Sequence, residues 1–280
     1  MSRIQHILDK AEREGVLHRT RPMVKPAAPG GNGASALGEF EAPRALAAAA
    51  PVEVPHASPA TLFPAARAIR STVLDPYLVA ATQGTGIAAE QYRALRTRIM
   101  QVSHGGAAHT VLITSPGRGE GKSLTAANLA LTMGQDYQRR ICVVDADFRA
   151  PQQHRLFGLA ETPGLSDVLL GRAPLEEALV TIEDLGLTVL PAGLPPDHPA
   201  ELLGTSAMRR TLDTLRSRFD RILIDAPAAA PLADVGVLMP LVDGVLLVVR
   251  AGITSKPAIH EAVAAIDPAK CLGLVLNEAT

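Results

Sequence analysis

The chain has 280 residues, formal net charge −1 and a sequence pI near 6.7, values that give no electrostatic case for nucleic-acid binding. Its composition is 47% hydrophobic but only 3% aromatic, with no Trp, so its core is built from Ala, Leu, Val and Ile, as suits helices packed on a parallel sheet. The length allows one domain of about 200 residues plus appendages, and its longest apolar run, Gly244 to Val249, is far too short to cross a bilayer.

Residues 1–20 begin with Ile4, Ile7, Leu8 and Ala11 at helical spacing, opposed by Arg3, Asp9, Lys10, Glu12 and Arg13. This predicts a short amphipathic helix and no apolar signal block, so the protein is expected to stay inside the cell. Residues 21–74 turn to Pro, Ala and Gly, a composition that cannot bury enough surface to fold and is read as a linker. A domain is expected over 75–280. It opens with a helix pattern from Ala88 to Ile99, on which Glu90, Arg93 and Arg96 fall three residues apart and share one face. Taken alone, that face suits either solvent or an interface with a second subunit.

Val111-Leu112-Ile113 then leads into Ser115-Pro116-Gly117-Arg118-Gly119-Glu120-Gly121-Lys122-Ser123 and on to the helical run from Leu124. Strand, glycine loop and helix in that order suit a polyphosphate: glycines let backbone N–H groups turn inward, and the helix points its positive end at the anion. In this pattern Lys122 reaches the terminal phosphates and the Ser123 hydroxyl ligates Mg²⁺. Pro116 stands where the general pattern has its first glycine.

Two further strands deliver carboxylates at their C-terminal ends, Ile141 to Val144 into Asp145 and Asp147, and Arg221 to Ile224 into Asp225. Around them follow a short helix closed by Gly171, a strand from Leu187, a helix from Ser206 to Phe219 facing the core with Met208, Leu212 and Leu215, a helix from Leu232 to Leu241, a strand from Gly244 to Arg250, a helix from Pro257 to Ile266 and a strand from Leu272 to Leu276. Alternating βα units of this kind specify an α/β fold, a three-layer sandwich with a mainly parallel sheet and helices on both faces. Cys142 and Cys271 fall in apolar runs without metal-type spacing and read as reduced core thiols.

From about Asp75 to Asn277 the chain resembles the bacterial protein-tyrosine kinases of capsule and exopolysaccharide export, a branch of the P-loop ATPases related to the MinD and ParA group. The resemblance rests on Glu90-x-x-Arg93-x-x-Arg96, Ile113 through Ser123, Asp145-x-Asp147-x-Arg149-x-Pro151, His154 to Gly158 with Pro163 to Gly171, Pro199 to Leu203, and Asp225-Ala226-Pro227 with Asp234. It implies ATP and Mg²⁺ as cofactors, with Lys122, Asp145, Asp147 and Asp225 catalytic. It also implies nucleotide contacts from Gly117, Arg118, Gly119, Glu120, Gly121, Lys122, Ser123, Leu124 and Asn277, the last on adenine. Ser123, Asp145 and Asp225 would serve the metal, and Glu90, Arg93 and Arg96 a homo-oligomer interface. A membrane-spanning polysaccharide co-polymerase is the implied partner, recruiting a cytoplasmic protein to the inner face of the membrane.

The chain departs from the family in lacking a tail of clustered tyrosines, having only Tyr77, Tyr92 and Tyr137, and in carrying Ala226-Pro227-Ala228 after its third acidic motif. These departures leave a kinase-inactive ATP-binding regulator as an alternative. A MinD/ParA-like ATPase is a further alternative, against which Gly117 stands where that group has a signature lysine.

Overall fold

The structure is a computed structural model that describes residues 66–70, 73–102, 108–135, 139–229 and 233–278. The expected amphipathic helix and most of the expected linker lie outside the described residues.

The described residues form one eight-stranded sheet: β1 (Arg67–Ile69), β2 (Thr110–Thr114), β3 (Ile141–Asp145), β4 (Val180–Ile182), β5 (Leu187–Leu190), β6 (Arg221–Asp225), β7 (Gly244–Arg250) and β8 (Cys271–Asn277), in the order β1-β4-β5-β3-β6-β2-β7-β8. Every pairing is parallel except β4 with β5, so the sheet is mainly parallel, as the alternating pattern demands. β2, β3, β5 and β6 are buried at every position, the signature of strands covered on both faces.

The two faces separate by alternation. Val111, Ile113, Val143, Leu223, Leu246 and Val248 join one core cluster with α1 (Val79–Thr82), α2 (Ile87–Val102) and α3 (Lys122–Gly134). Their neighbours Leu112, Cys142, Val144, Ile222, Ile224 and Leu247 are fully buried but outside that cluster, because successive strand side chains point to opposite faces. On β6 packs α8 (Ser206–Arg218), whose Met208, Leu212 and Leu215 are fully buried as their spacing predicts, each worth about 2 kcal/mol of burial. Thr205 caps α8 by accepting from the Met208 N–H. The remaining helices are α4 (Gln153–Leu156), α5 (Leu165–Leu169), α6 (Leu175–Ala178), α7 (Pro199–Leu203), α9 (Asp234–Leu238) and α10 (Lys256–Ala264).

Three features differ from the sequence reading. Within the expected linker, Arg67–Ile69 pairs in parallel with Val180–Ile182, so strand structure precedes Asp75; three residues cannot announce themselves by composition, and the pairing is made by a distant strand. The antiparallel β4–β5 hairpin turns through a 3₁₀ segment (Glu183–Leu185) and Gly186 at φ 59°, an acidic stretch with no strand signal. The helix expected over 232–241 is α9 followed by a 3₁₀ turn (Met239–Leu241), since Pro240 lacks the N–H that an α-helix would use there. Leu232 lies outside the described residues.

Candidate nucleotide site

β2 ends at Thr114, whose hydroxyl donates to the Pro227 carbonyl at 2.6 Å and ties the loop to the end of β6. Gly119 (φ 76°) and Gly121 (φ 90°) supply the left-handed turns of the loop, whereas no residue at 115–118 has positive φ. Proline at 116 is therefore compatible with the loop's curvature. Gly121 caps α3 without any side-chain partner, so the start of a 13-residue helix is left open toward the loop. A Cβ on Gly121 would stand 2.1 Å from Asn277 Nδ2, so a larger residue there would have to displace that side chain as well as adopt a positive φ.

Glu120, 8% exposed, turns away from the cleft. Its Oε1 accepts from the Gly117 N–H at 3.0 Å, and its Oε2 accepts from the Arg250 N–H at 3.2 Å and the Thr254 hydroxyl at 2.6 Å. Its carbonyl accepts from Asn277 Nδ2 at 3.0 Å. Glu120 and Asn277 thus tie the loop to the carboxyl ends of β7 and β8. Both are expected nucleotide contacts; neither lines the cleft that holds Lys122, and Asn277 lines the groove beside it.

The register Asp145↔Asp225 and Ile113↔Asp225 brings β2, β3 and β6 to one edge, where the acidic strand ends meet the loop. Lys122 Nζ lies 2.6 Å from Asp147 Oδ2 and 3.7 Å from Asp225 Oδ1, and donates to Ser123 Oγ at 3.1 Å. Burial pulls the Lys122 ammonium down, but Asp225 and Asp147 outweigh it and hold the group above its ordinary value. Asp225 is pushed up by burial, with Lys122 opposing only in part. Asp145 is raised well above the usual carboxylate range, by burial and then by Asp225.

The two aspartates of the second acidic motif do different things. Asp145 is fully buried, with Oδ1 accepting from the Asp147 N–H at 3.1 Å and Oδ2 from the N–H groups of Gln152 and Gln153, both at 2.9 Å. It shapes the turn that follows β3. Asp147 accepts from the Arg149 and Ala150 N–H groups through Oδ1 and turns Oδ2 to Lys122. Gln153, fully buried and not singled out from the sequence, donates to the Ser123 carbonyl at 3.0 Å and to Asp225 Oδ2 at 2.9 Å. Nothing in its local pattern marks it, because both partners are distant in the chain. Arg149 grips Asp234 with Nε at 3.2 Å and a terminal nitrogen at 3.1 Å.

A cleft of about 440 Å³ is lined by Arg118, Gly119, Gly121, Lys122, Ser123 and Leu124 on one side and by Asp147, Arg149 and Gln152 on the other, with Asp75 and Tyr77 at its mouth. A groove of about 870 Å³ beside it runs between α2 and β8 past Asn277 and shares Tyr77 and Leu124 with the cleft. Glu90, Arg93 and Arg96 lie apart from both Lys122 and the acidic strand ends. Arg93 pairs with Glu90 and the Gly84 carbonyl, and Arg96 donates to the Thr132 carbonyl at 2.8 Å, all within the chain. Cys142 is buried and Cys271 partly so, and both are free thiols.

No protein-family model matches the chain. A tyrosine-protein kinase of Bacillus subtilis, YwqD, is 35% identical over 215 residues, covering 76% of this chain and 90% of that protein. ExoP of Rhizobium meliloti, a succinoglycan biosynthesis transport protein, is 31% identical over 195 residues, covering 68% of this chain but 25% of that much longer protein. Among solved structures, the kinase domain of the Escherichia coli tyrosine kinase ETK matches with a TM-score of 0.68 at 26% identity, covering 74% of this chain and 83% of that one.

Proposed function

The chain belongs to the family of bacterial tyrosine-protein kinases, and on that footing we propose that it transfers the γ-phosphoryl group of ATP to tyrosine hydroxyls in a system that makes and exports an extracellular polysaccharide. The observation that carries this reading is Lys122, held buried between Asp147 and Asp225 at the foot of a glycine loop.

The residues present fit a Mg²⁺–nucleotide. Asp225 Oδ1 is buried without a hydrogen-bond partner, and Gln153 joins its other oxygen to the Ser123 carbonyl. Mg²⁺ at such a site uses one or two protein oxygens and takes the rest from phosphates and water. Ser123 and Asp225 would hold the ion. When bound, it neutralises charge on the phosphate oxygens, most of what phosphoryl transfer asks of a site. Asp145 positions the turn that carries Asp147 by accepting three backbone N–H groups, and its Oδ1, which accepts only one of them, keeps a lone pair for the metal's water shell.

Lys122 and Asp147 divide the remaining work. Lys122 leaves Asp147 for the phosphates, a stronger anionic partner. Asp147 Oδ2, freed of its cation, accepts the phenol proton late in a loose transition state, where a weak base suffices. Asn277 sets the base end of the site by way of the Glu120 carbonyl. Glu90, Arg93 and Arg96 serve a homo-oligomer if their internal pairs exchange for a neighbour's. A membrane-spanning co-polymerase is the partner proposed by analogy with ExoP, and no helix among the described residues is long and apolar enough to cross a membrane itself.

The test is incubation of the full chain with ATP, Mg²⁺ and a random glutamate–tyrosine copolymer, beside a Lys122→Ala control checked for folding by circular dichroism. Labelling of copolymer tyrosine that disappears in the control is the expected result. Nucleotide binding without labelled tyrosine would overturn the kinase reading in favour of a nucleotide-gated regulator.

A further inference from the structure

The chain contains three tyrosines, and the structure separates two of them sharply. Tyr92 sits on α2, where burial pushes its phenol above the ordinary value of 10.0, with the side chains of Thr125 and Asn128 opposing in part. Tyr77 is 70% exposed and lines the cleft that contains Lys122 and Asp147. Tyr137 lies outside the described residues.

The backbone beneath Tyr77 is pinned on both sides. The Asp75 N–H donates to the Leu156 carbonyl at 3.0 Å, and the Tyr77 N–H donates to Asp75 Oδ1 at 2.8 Å. Asn128 of α3 donates from Nδ2 to the Tyr77 carbonyl at 3.0 Å, while its Oδ1 accepts from the Ala80 N–H at 3.0 Å. Leu78, fully buried, anchors the strap to the core. A hydrogen-bonded strap thus presents one exposed phenol at the mouth of a site lined by Lys122, Arg118 and Arg149, three cations suited to a phosphoryl group in transit.

We propose that Tyr77 is a phosphorylation site of this chain, modified within the same molecule that carries the cleft. The inference rests on the kinase reading above and names its acceptor. In the step, Tyr77 Oη bonds to the γ-phosphorus as the bond from that phosphorus to the β-bridging oxygen breaks. The electron pair of the broken bond leaves with ADP, and the phenol proton passes to Asp147 Oδ2 or to water. Holding acceptor and donor in one cleft makes the reaction unimolecular in protein.

The experiment is phosphopeptide mapping of the full chain after incubation with ATP and Mg²⁺, for the parent, Tyr77→Phe and Lys122→Ala, with copolymer phosphorylation and binding of a fluorescent ATP analogue measured in parallel. The expected result is phosphate on Tyr77 of the parent, formed with a rate constant that stays level across roughly a ten-fold range of protein concentration. Tyr77→Phe loses this phosphate while keeping copolymer labelling and a nucleotide affinity within about two-fold of the parent. Because the substitution removes only an exposed hydroxyl, folding is preserved. Copolymer labelled with Tyr77 bare, phosphate confined to Tyr92 or Tyr137, or a rate constant rising with protein concentration would overturn the assignment and leave the kinase reading standing. A nucleotide affinity that collapses in Tyr77→Phe would overturn it too, assigning the hydroxyl to nucleotide binding. Absence of label from both copolymer and chain would sink the kinase reading and this proposal together.

Discussion

Glu120→Gln tests whether the phosphate loop is held from behind. The carboxylate accepts three hydrogen bonds, from the Gly117 N–H through one oxygen and from the Arg250 N–H and Thr254 hydroxyl through the other. An amide of the same shape offers one accepting oxygen and turns an NH₂ toward donors on the other side. The Thr254 hydroxyl can rotate to accept from that NH₂, but neither the Arg250 nor the Gly117 N–H can reverse. At least one half-buried N–H therefore loses its charged partner, either that of Gly117 or that of Arg250, which keeps the Thr254 hydroxyl at 2.9 Å as a second acceptor, and hydrogen bonds to charged groups are worth about 1.5–3 kcal/mol. The expected loss is about 2 kcal/mol, a factor of roughly 30 in the folding constant. Urea unfolding without nucleotide reads it as a lower midpoint at unchanged slope. Thr254→Val, which removes one of the three donors together with the second acceptor of the Arg250 N–H, should cost about 1–2 kcal/mol. A Glu120→Gln protein within about 0.5 kcal/mol of its parent would refute the reasoning, since that is the scatter of ordinary surface changes.

Two other perturbations probe buried side chains of α4, Gln153 and His154. Gln153→Leu strips the donor from the Ser123 carbonyl and from Asp225 Oδ2, both buried; a loss of about 2–3 kcal/mol in urea unfolding is expected, with weaker Mg²⁺-dependent nucleotide binding by isothermal calorimetry, and unchanged binding would remove Gln153 from the site's support. His154 is held below its ordinary value of 6.5, first by burial and then by Arg155, with Glu161 opposing, and its Nδ1 has no hydrogen-bond partner. Below pH 6.5 the unfolded chain then binds a proton that the folded chain does not, so this contribution to stability is present above 6.5 and is lost as pH falls toward the folded value. His154→Phe should flatten the fall in unfolding midpoint across that window, and a parallel fall in both proteins would contradict the assignment.

The route from residues to site was short where the chemistry is local. A glycine loop between an apolar run and a helix works through its own backbone, so the positions of Gly119, Gly121, Lys122 and Ser123 were legible from order alone. Met208, Leu212 and Leu215 were legible for the same reason, since one helix period decides which side chains share a face. Glu120 and Asn277 are expected nucleotide contacts by resemblance. What the tertiary structure adds is the bond from Asn277 Nδ2 to the Glu120 carbonyl, a pairing 157 positions apart that no local pattern carries.

By itself the sequence determined that apolar strands alternate with helices, that carboxylates stand at the strand ends and that a glycine loop precedes Lys122, because secondary-structure period and loop flexibility are properties of neighbouring residues. Only the tertiary structure decided that Asp147 is the aspartate in closest contact with Lys122, that Asp145 accepts from three backbone N–H groups, that Gln153 joins Ser123 to Asp225, and that Tyr77 and not Tyr92 faces the cleft. Those choices depend on which strands lie side by side and in what register, and strand order is settled by packing among residues tens to hundreds of positions apart.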